Sequence, residues 1–136
     1  MRKMGIDFGS KKVGIALSDE SGVMAFPHSV ISNDAQLFKT VMALIEKERV
    51  GELVIGYSVD KAGVANPIHR AVESFMTDIT LALPIPIHLE PEQYSTQQAI
   101  RIQGKNSHTD AAAAAIILDS YLMKQNKTSV FTELND

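Results

Sequence analysis

The sequence predicts an α/β fold built on a mixed five-stranded sheet, three antiparallel strands followed by parallel ones, flanked by helices. Three observations carry that expectation. Residues 4–8 and 13–18 are rich in strand formers and are joined by Gly9-Ser10-Lys11-Lys12, the pattern of a β-hairpin. Residues 52–56, Glu-Leu-Val-Ile-Gly, form a short apolar run bounded by glycines, as in a buried parallel strand. From there on, helical periodicities alternate with strand-like runs, which is the order that crossover connections require.

The elements follow in order. In the first strand Gly5, Asp7 and Gly9 share one face, while Met4, Ile6 and Phe8 share the other. Residues 24–31 read as a third strand, and Pro27 marks it as an edge or bulged one. Ser32 or Asn33 can cap the helix that follows, whose apolar stripe is Leu37, Val41, Leu44 and Ile45. After the strand at 52–56 comes a polar loop over 57–65 containing Asp60, Lys61 and Gly63. Asn66-Pro67 starts a second helix with proline at its first position, and Ile68, Val72, Phe75, Ile79 and Leu83 give its stripe. Residues 84–89 form the fifth strand, its prolines near its beginning. A loop over 90–93, a short helix from Ser95 or Thr96 to Ile102, and a linker over 104–107 come next. Thr109 or Asp110 opens the last helix, whose alanine-rich run lets it lie close against a sheet and continues to Met123. Residues 1–125 thus form one domain, and 126–136 a polar C-terminal tail.

Composition narrows the class. A chain of 136 residues is long enough for one core, and its apolar content of 45% is that of an ordinary globular protein. There is no cysteine, hence no disulfide and no thiolate metal site. Met1-Arg2-Lys3 resembles the start of an export signal, but Asp7 and the Lys11-Lys12 pair interrupt any apolar run. No membrane span fits either, so the expected location is cytoplasmic. A net charge of −3 gives no general attraction to nucleic acid, so such binding requires a local basic surface.

The candidate chemistry is acidic. Asp7 lies mid-strand between two glycines, which leave room beside the carboxylate for a hydrated metal ion or a phosphate. Glu90 and Glu92 follow the C-terminal end of a parallel strand, where ligands bind in open α/β sheets. Asp110 opens the last helix, a position that also suits a simple cap. Carboxylates brought together from three parts of the chain repel one another, each pair by roughly 3 kcal/mol at ~5 Å and an effective dielectric of ~20. A cation between them relieves that cost, and hard oxygen ligands suit Mg²⁺ or Mn²⁺. Such ions orient a water and stabilise the leaving oxygen in phosphodiester hydrolysis. Lys11, Lys12, Arg70, Arg101 and Lys105 are candidates for phosphate contacts, and equally for ordinary surface. His108 near Asp110 reads as a phosphate donor, a proton carrier or a plain helix-end residue. His28, His69 and His88 lack metal-ligand spacing.

The order of elements is that of the ribonuclease H-like fold. Residues 5–16, Gly-Ile-Asp-Phe-Gly-Ser-Lys-Lys-Val-Gly-Ile-Ala, resemble the opening motif of the YqgF/RuvX family within that superfamily. Leu53-Val54-Ile55-Gly56 resembles the family's second block, and residues 108–118, from His108-Thr109-Asp110 through the alanines to Leu118, its last. The resemblance implies a metal-dependent nuclease, either one that matures the 5′ end of pre-16S rRNA or a Holliday junction resolvase. It implies Asp7, Glu92 and Asp110 as catalytic and metal-binding residues, Mg²⁺ or Mn²⁺ as cofactor, and nucleic acid as partner, pre-16S rRNA or branched DNA. A monomer suits the first substrate, and two-fold junction cutting needs a homodimer. The middle departs from the pattern. Glu92 falls on the acid of the Asp-Glu-Arg block, with Glu90 then an outward bystander. Pro91 and Gln93 replace its Asp and Arg, which removes a fixed cation. The rival reading is a non-catalytic relative that binds structured RNA or a protein partner.

Overall fold

The computed structural model describes residues 1–9, 11–57, 67–90 and 110–135. Its strands are β1 (Arg2–Phe8), β2 (Lys12–Ser18), β3 (Ala25–Ser32), β4 (Val50–Tyr57) and β5 (Ile87–Leu89). The described helices are α1 (Leu37–Lys47), α2 (Pro67–Ala82) and α3 (Asp110–Asn135). One sheet of order β3-β2-β1-β4-β5 contains all five strands. The β1/β2 and β2/β3 pairs are antiparallel, and β1/β4 and β4/β5 are parallel, so β1 is the central strand. The loop read after Tyr57 and the short helix read over 95–102 lie outside the described residues.

Proline shapes both edges. Pro27 sits on the edge strand β3, and the β2/β3 register shifts between Ile15 and Ala16, beside it, so β3 is both an edge and a bulged strand. At the other edge, pairing of β5 begins at Ile87, later than the run from Pro84 suggests. Pro84 and Pro86 have no N–H to give, although the Pro86 carbonyl accepts from the Leu53 N–H at 3.0 Å. One helix start differs from the sequence reading. The N-cap residue of α1 is Gln36 rather than Ser32 or Asn33, and it makes no side-chain cap bond. Asp34 Oδ1 instead accepts from the Gln36 N–H at 2.9 Å, a local turn that the short polar side chain favours.

The sheet is covered on both faces. Met4, Ile6 and Phe8 of β1 pack with Val13, Ile15, Leu17, Leu53 and Ile55 against Leu37, Val41 and Ile45 of α1 and Val72, Phe75 and Ile79 of α2. On the other face Ala16 and Val54 meet Ala114, Ala115, Ile117, Leu118, Tyr121 and Leu122 of α3. The alternation of β1 therefore gives its aliphatic face to α1 and α2, and its Gly-Asp face to α3. Helix α3 continues to Asn135, so the backbone of 126–135, read as a polar tail, is helical.

The α3 face is close-packed at Gly5 and Gly56, where glycine presents no side chain. A Cβ on Gly5 would lie 2.7 Å from the Ala114 carbonyl oxygen and 2.8 Å from the Leu118 Cβ. Gly5→Ala should therefore push α3 outward and cost ~1–3 kcal/mol, as overpacking of a rigid interior does. Gly51→Ala is the control. Its Cβ would meet Met1 at 3.0 Å, but Met1 is 79% exposed and free to swing away. That variant should stay within about 0.5 kcal/mol of wild type in urea unfolding.

Candidate active site

Asp7 is positioned by pairing on both sides. Its ladder partners are Gly14 on β2 and Gly56 on β4. Residues opposite one another share a face, so Gly14, Asp7 and Gly56 form a row across the sheet beneath α3. Gly5 precedes Asp7 on that face, and Gly9 continues the alternation beyond it. The half-buried Asp7 carboxylate thus stands at the centre of a cross whose four other arms are glycines.

Gly5 and Gly9 do not hold open the space that the sequence suggests for them. The room above Gly5 is taken by Ala114 and Leu118, and a Cβ on Gly56 would lie 2.4 Å from Ile117 Cδ1. At Gly9 a Cβ would lie 2.5 Å from the Lys12 carbonyl oxygen, so that glycine serves the hairpin. Gly5 and Gly56 are the seat of the last helix.

That helix also fixes where Asp110 begins. Gly5 lies under Ala114 and Leu118, while Lys3, two residues earlier, reaches Tyr121 and Gln125. Helix α3 therefore runs antiparallel to β1, and its first residue, Asp110, starts at the Asp7 end of the sheet. The Asp110 side chain and Glu92, Arg101, Lys105 and His108 lie outside the described residues, as do Pro91 and Gln93. Among the described residues no three acidic or imidazole groups converge as a metal cage.

Three of the five candidate phosphate-binding cations, Lys11, Lys12 and Arg70, fall among the described residues. Lys11 and Lys12 are exposed at the β1/β2 hairpin, which turns just beyond Asp7. Arg70 is exposed in the first turn of α2, the helix that follows the C-terminal end of β4. The hairpin is tied down by Asn33. Its Nδ2 donates to the Gly9 carbonyl at 2.7 Å and its backbone N–H donates to the Lys11 carbonyl at 2.9 Å. No sequence signal marks this role, because the contact spans 24 positions and a cap explains an asparagine before a helix equally well.

Glu90 requires a correction. It is not an outward bystander but is 6% exposed, and it pairs with Lys124 Nζ of α3. Its N–H donates to the Ile55 carbonyl at 2.9 Å, which carries the β5 ladder one residue further and turns its side chain toward α3. Below it lies a polar cluster. Glu52 Oε1 is 3.1 Å from His88 Nε2, and Glu52 Oε2 pairs with Lys3 Nζ at 3.2 Å. The His88 ring stacks on Tyr121 at 4.8 Å between centroids, and Gln125 Nε2 donates to the Tyr121 hydroxyl at 2.7 Å. Burial pushes the Tyr121 phenol up to about 12, and the nearby charges of Glu52 and Glu90 add to the effect.

A five-stranded mixed sheet in this order, with an acid near the C-terminal end of its central strand rather than at mid-strand, is a RuvC-like ribonuclease H fold. The structure is similar to RuvC of Thermus thermophilus, with a TM-score of 0.64 over 94% of this chain and 98% of that one at 12% identity. It is also similar to the fowlpox virus Holliday junction resolvase, with a TM-score of 0.59 over 91% and 99% at 13% identity. Sequence carries the assignment further. The family model described as RuvX, Holliday junction resolvase, matches residues 1–124, and the chain belongs to that nuclease family. A relative from Maridesulfovibrio salexigens is 31% identical over 134 residues, covering 91% of this chain and 99% of its own. One from Rickettsia typhi is 32% identical over 127 residues, covering 86% and 81%. Both are provisionally named pre-16S rRNA nucleases. Among the described residues no helix is long and apolar enough to cross a membrane.

Two outcomes test this geometry. Asn33→Ala leaves the Gly9 carbonyl without that donor and should cost ~1 kcal/mol, with amide shift changes centred on the hairpin. Tyr121 favours its neutral form when folded, so its contribution to stability is complete below pH 10 and is lost as pH rises from 10 to about 12. Tyr121→Phe should remove that part of the alkaline slope in urea unfolding across the same range.

Proposed function

We propose that this chain is a metal-dependent endonuclease acting on structured nucleic acid, and that its substrate is the 5′ end of pre-16S rRNA in the cytoplasm. The observation that carries the proposal is Asp7, set among glycines at the end of the sheet where α3 and its Asp110 begin. Asp7, Glu92 and Asp110 are the proposed ligands of Mg²⁺ or Mn²⁺. The donor set fits, because carboxylate oxygens are hard ligands and no thiol is present to favour a softer metal. The ion supplies a Lewis acid that lowers the pKa of a bound water and offsets charge on the leaving oxygen. Lys11, Lys12 and Arg70 hold phosphates of the incoming strand, with Arg101 and Lys105 assigned to the same work. The relatives named for pre-16S rRNA favour that substrate over a four-way DNA junction, which the family model's description supports as the second reading. Maturation of a single RNA end needs one site, so a monomer suffices, whereas paired cuts in a junction need a homodimer.

The test is cleavage of a pre-16S rRNA fragment and of a four-way junction by purified protein with Mg²⁺ or Mn²⁺. Asp7→Asn should reduce cleavage to background while keeping the wild-type fold by circular dichroism. Turnover equal to wild type in that variant removes Asp7 from the site. No cleavage of either substrate by wild type, with RNA still bound, selects the non-catalytic alternative.

A second measurement tests the acid cluster without activity. Asp110→Asn keeps a usable capping group, so in chelator it should equal wild type or exceed it by ~1 kcal/mol through relieved repulsion. A metal bound by the folded state alone adds ~2.7 kcal/mol at a hundred times its dissociation constant, so saturating Mn²⁺ should reverse the order. Parallel melting shifts in both conditions leave Asp110 a cap.

A further inference from the structure

We infer that the polar cluster beneath the second half of α3 sets the axial register of that helix, and that Glu90 and Lys124 are positioning residues for Asp110. The inference rests on Asp110 acting beside Asp7 as proposed above. It begins from a difference between the two halves of α3. The first half meets Gly5, Ala16, Val54 and Gly56 through Ala114, Ala115, Ile117 and Leu118. Such a surface permits close approach, and its contacts are apolar and non-directional. Ile117 seated over Gly56 interlocks there, and an apolar contact of that kind shifts without electrostatic cost.

The second half is held by directional contacts to three strands. Tyr121 and Gln125 meet Lys3 of β1, and Tyr121 stacks on His88 of β5, which pairs with Glu52 of β4. Lys124 reaches Glu90 at the end of β5. Glu90 is the strict member of this set. Its side chain is 8% exposed and that of Lys124 67%, so the cation is easily solvated elsewhere while the carboxylate is not. A buried carboxylate without its partner is costly, so any placement of α3 that withdraws Lys124 is penalised.

The effect reaches the site along the helix. Asp110 precedes Lys124 by fourteen residues, ~21 Å of continuous α-helix, which carries an axial displacement without loss. A misplacement of ~1 Å at reacting groups can cost about a hundredfold in rate, so a small slip is enough to matter.

The test compares Glu90→Gln, Lys124→Met, their double variant and Lys124→Arg, with Leu81→Ala as a control at an exposed site on α2. Glu90→Gln and Lys124→Met should each lower kcat by about tenfold with KM unchanged. The double variant should be no worse than either single one, and Lys124→Arg should keep the wild-type rate. Independently of activity, the amide shifts of Asp7 and residues 111–115 should move in the two damaging variants and stay fixed in the Arg variant and the control. Shifts confined to β5 and 121–125 overturn the inference, as does an unchanged kcat. If wild type neither cleaves nor binds Mn²⁺, the functional reading fails while the shifts at 111–115 still decide the register.

Discussion

The approach of α3 to the central strand is the constraint on which the rest of the structure depends. Helix backbone meets strand backbone so closely at Gly5 that even a methyl group does not fit. Packing of that kind removes side chains from the middle of the sheet, and Asp7 is the carboxylate that stands among the glycines left behind. At Gly5, glycine is thus required for packing at a position where the sequence alone suggests room for chemistry. The same contact aligns α3 antiparallel to β1 and brings the start of the helix to the Asp7 end, so packing and site geometry are one arrangement.

The two faces of the sheet divide the work. The face toward α1 and α2 is continuous aliphatic core, in which each fully buried Ile, Leu, Val or Met contributes ~1.5–3 kcal/mol. The face toward α3 carries Lys3, Asp7, Glu52, His88 and Glu90 among glycines and alanines. An open sheet with polar groups on both faces would have little left to hold it together. Confining them to one face lets β1 alternate strictly between Met4, Ile6, Phe8 and Gly5, Asp7.

What was legible in the sequence was what has a period or a fixed local rule. The hairpin, the β4 run, the helix stripes and the edge status of β3 follow from alternation, helical spacing and the missing N–H of Pro27. Contacts between distant residues were not legible. Asn33 looks like a cap and is a hairpin brace, and Glu90 looks solvated until α3 brings Lys124 over it. Arg49 occupies a left-handed conformation, φ 55°, just after α1, where the usual rule places glycine. Of the candidate site, the place of Asp7 on β1 was legible, while where the backbone of Asp110 starts emerged only from the direction of α3.

The separation of faces also decides how an acidic site can be kept in a small domain. Three carboxylates converging at ~5 Å make three ionised pairs, roughly 10 kcal/mol before screening, comparable with the ~5–15 kcal/mol net stability of an ordinary domain. Such a cost is tolerable only if the carboxylates do not also have to supply the core. Here they do not, because the aliphatic side chains of β1, β2 and β4 form their core with α1 and α2 on the opposite face. On the α3 face, acids away from Asp7 are matched one by one: Glu52 by Lys3 and His88, Glu90 by Lys124. Fixed protein cations compensate those two carboxylates, Lys3 at Glu52 and Lys124 at Glu90, while the proposed triad would draw its cation from solution. The polar network and the proposed metal site are therefore complementary solutions to one electrostatic problem, the first built into the fold and the second supplied from solution.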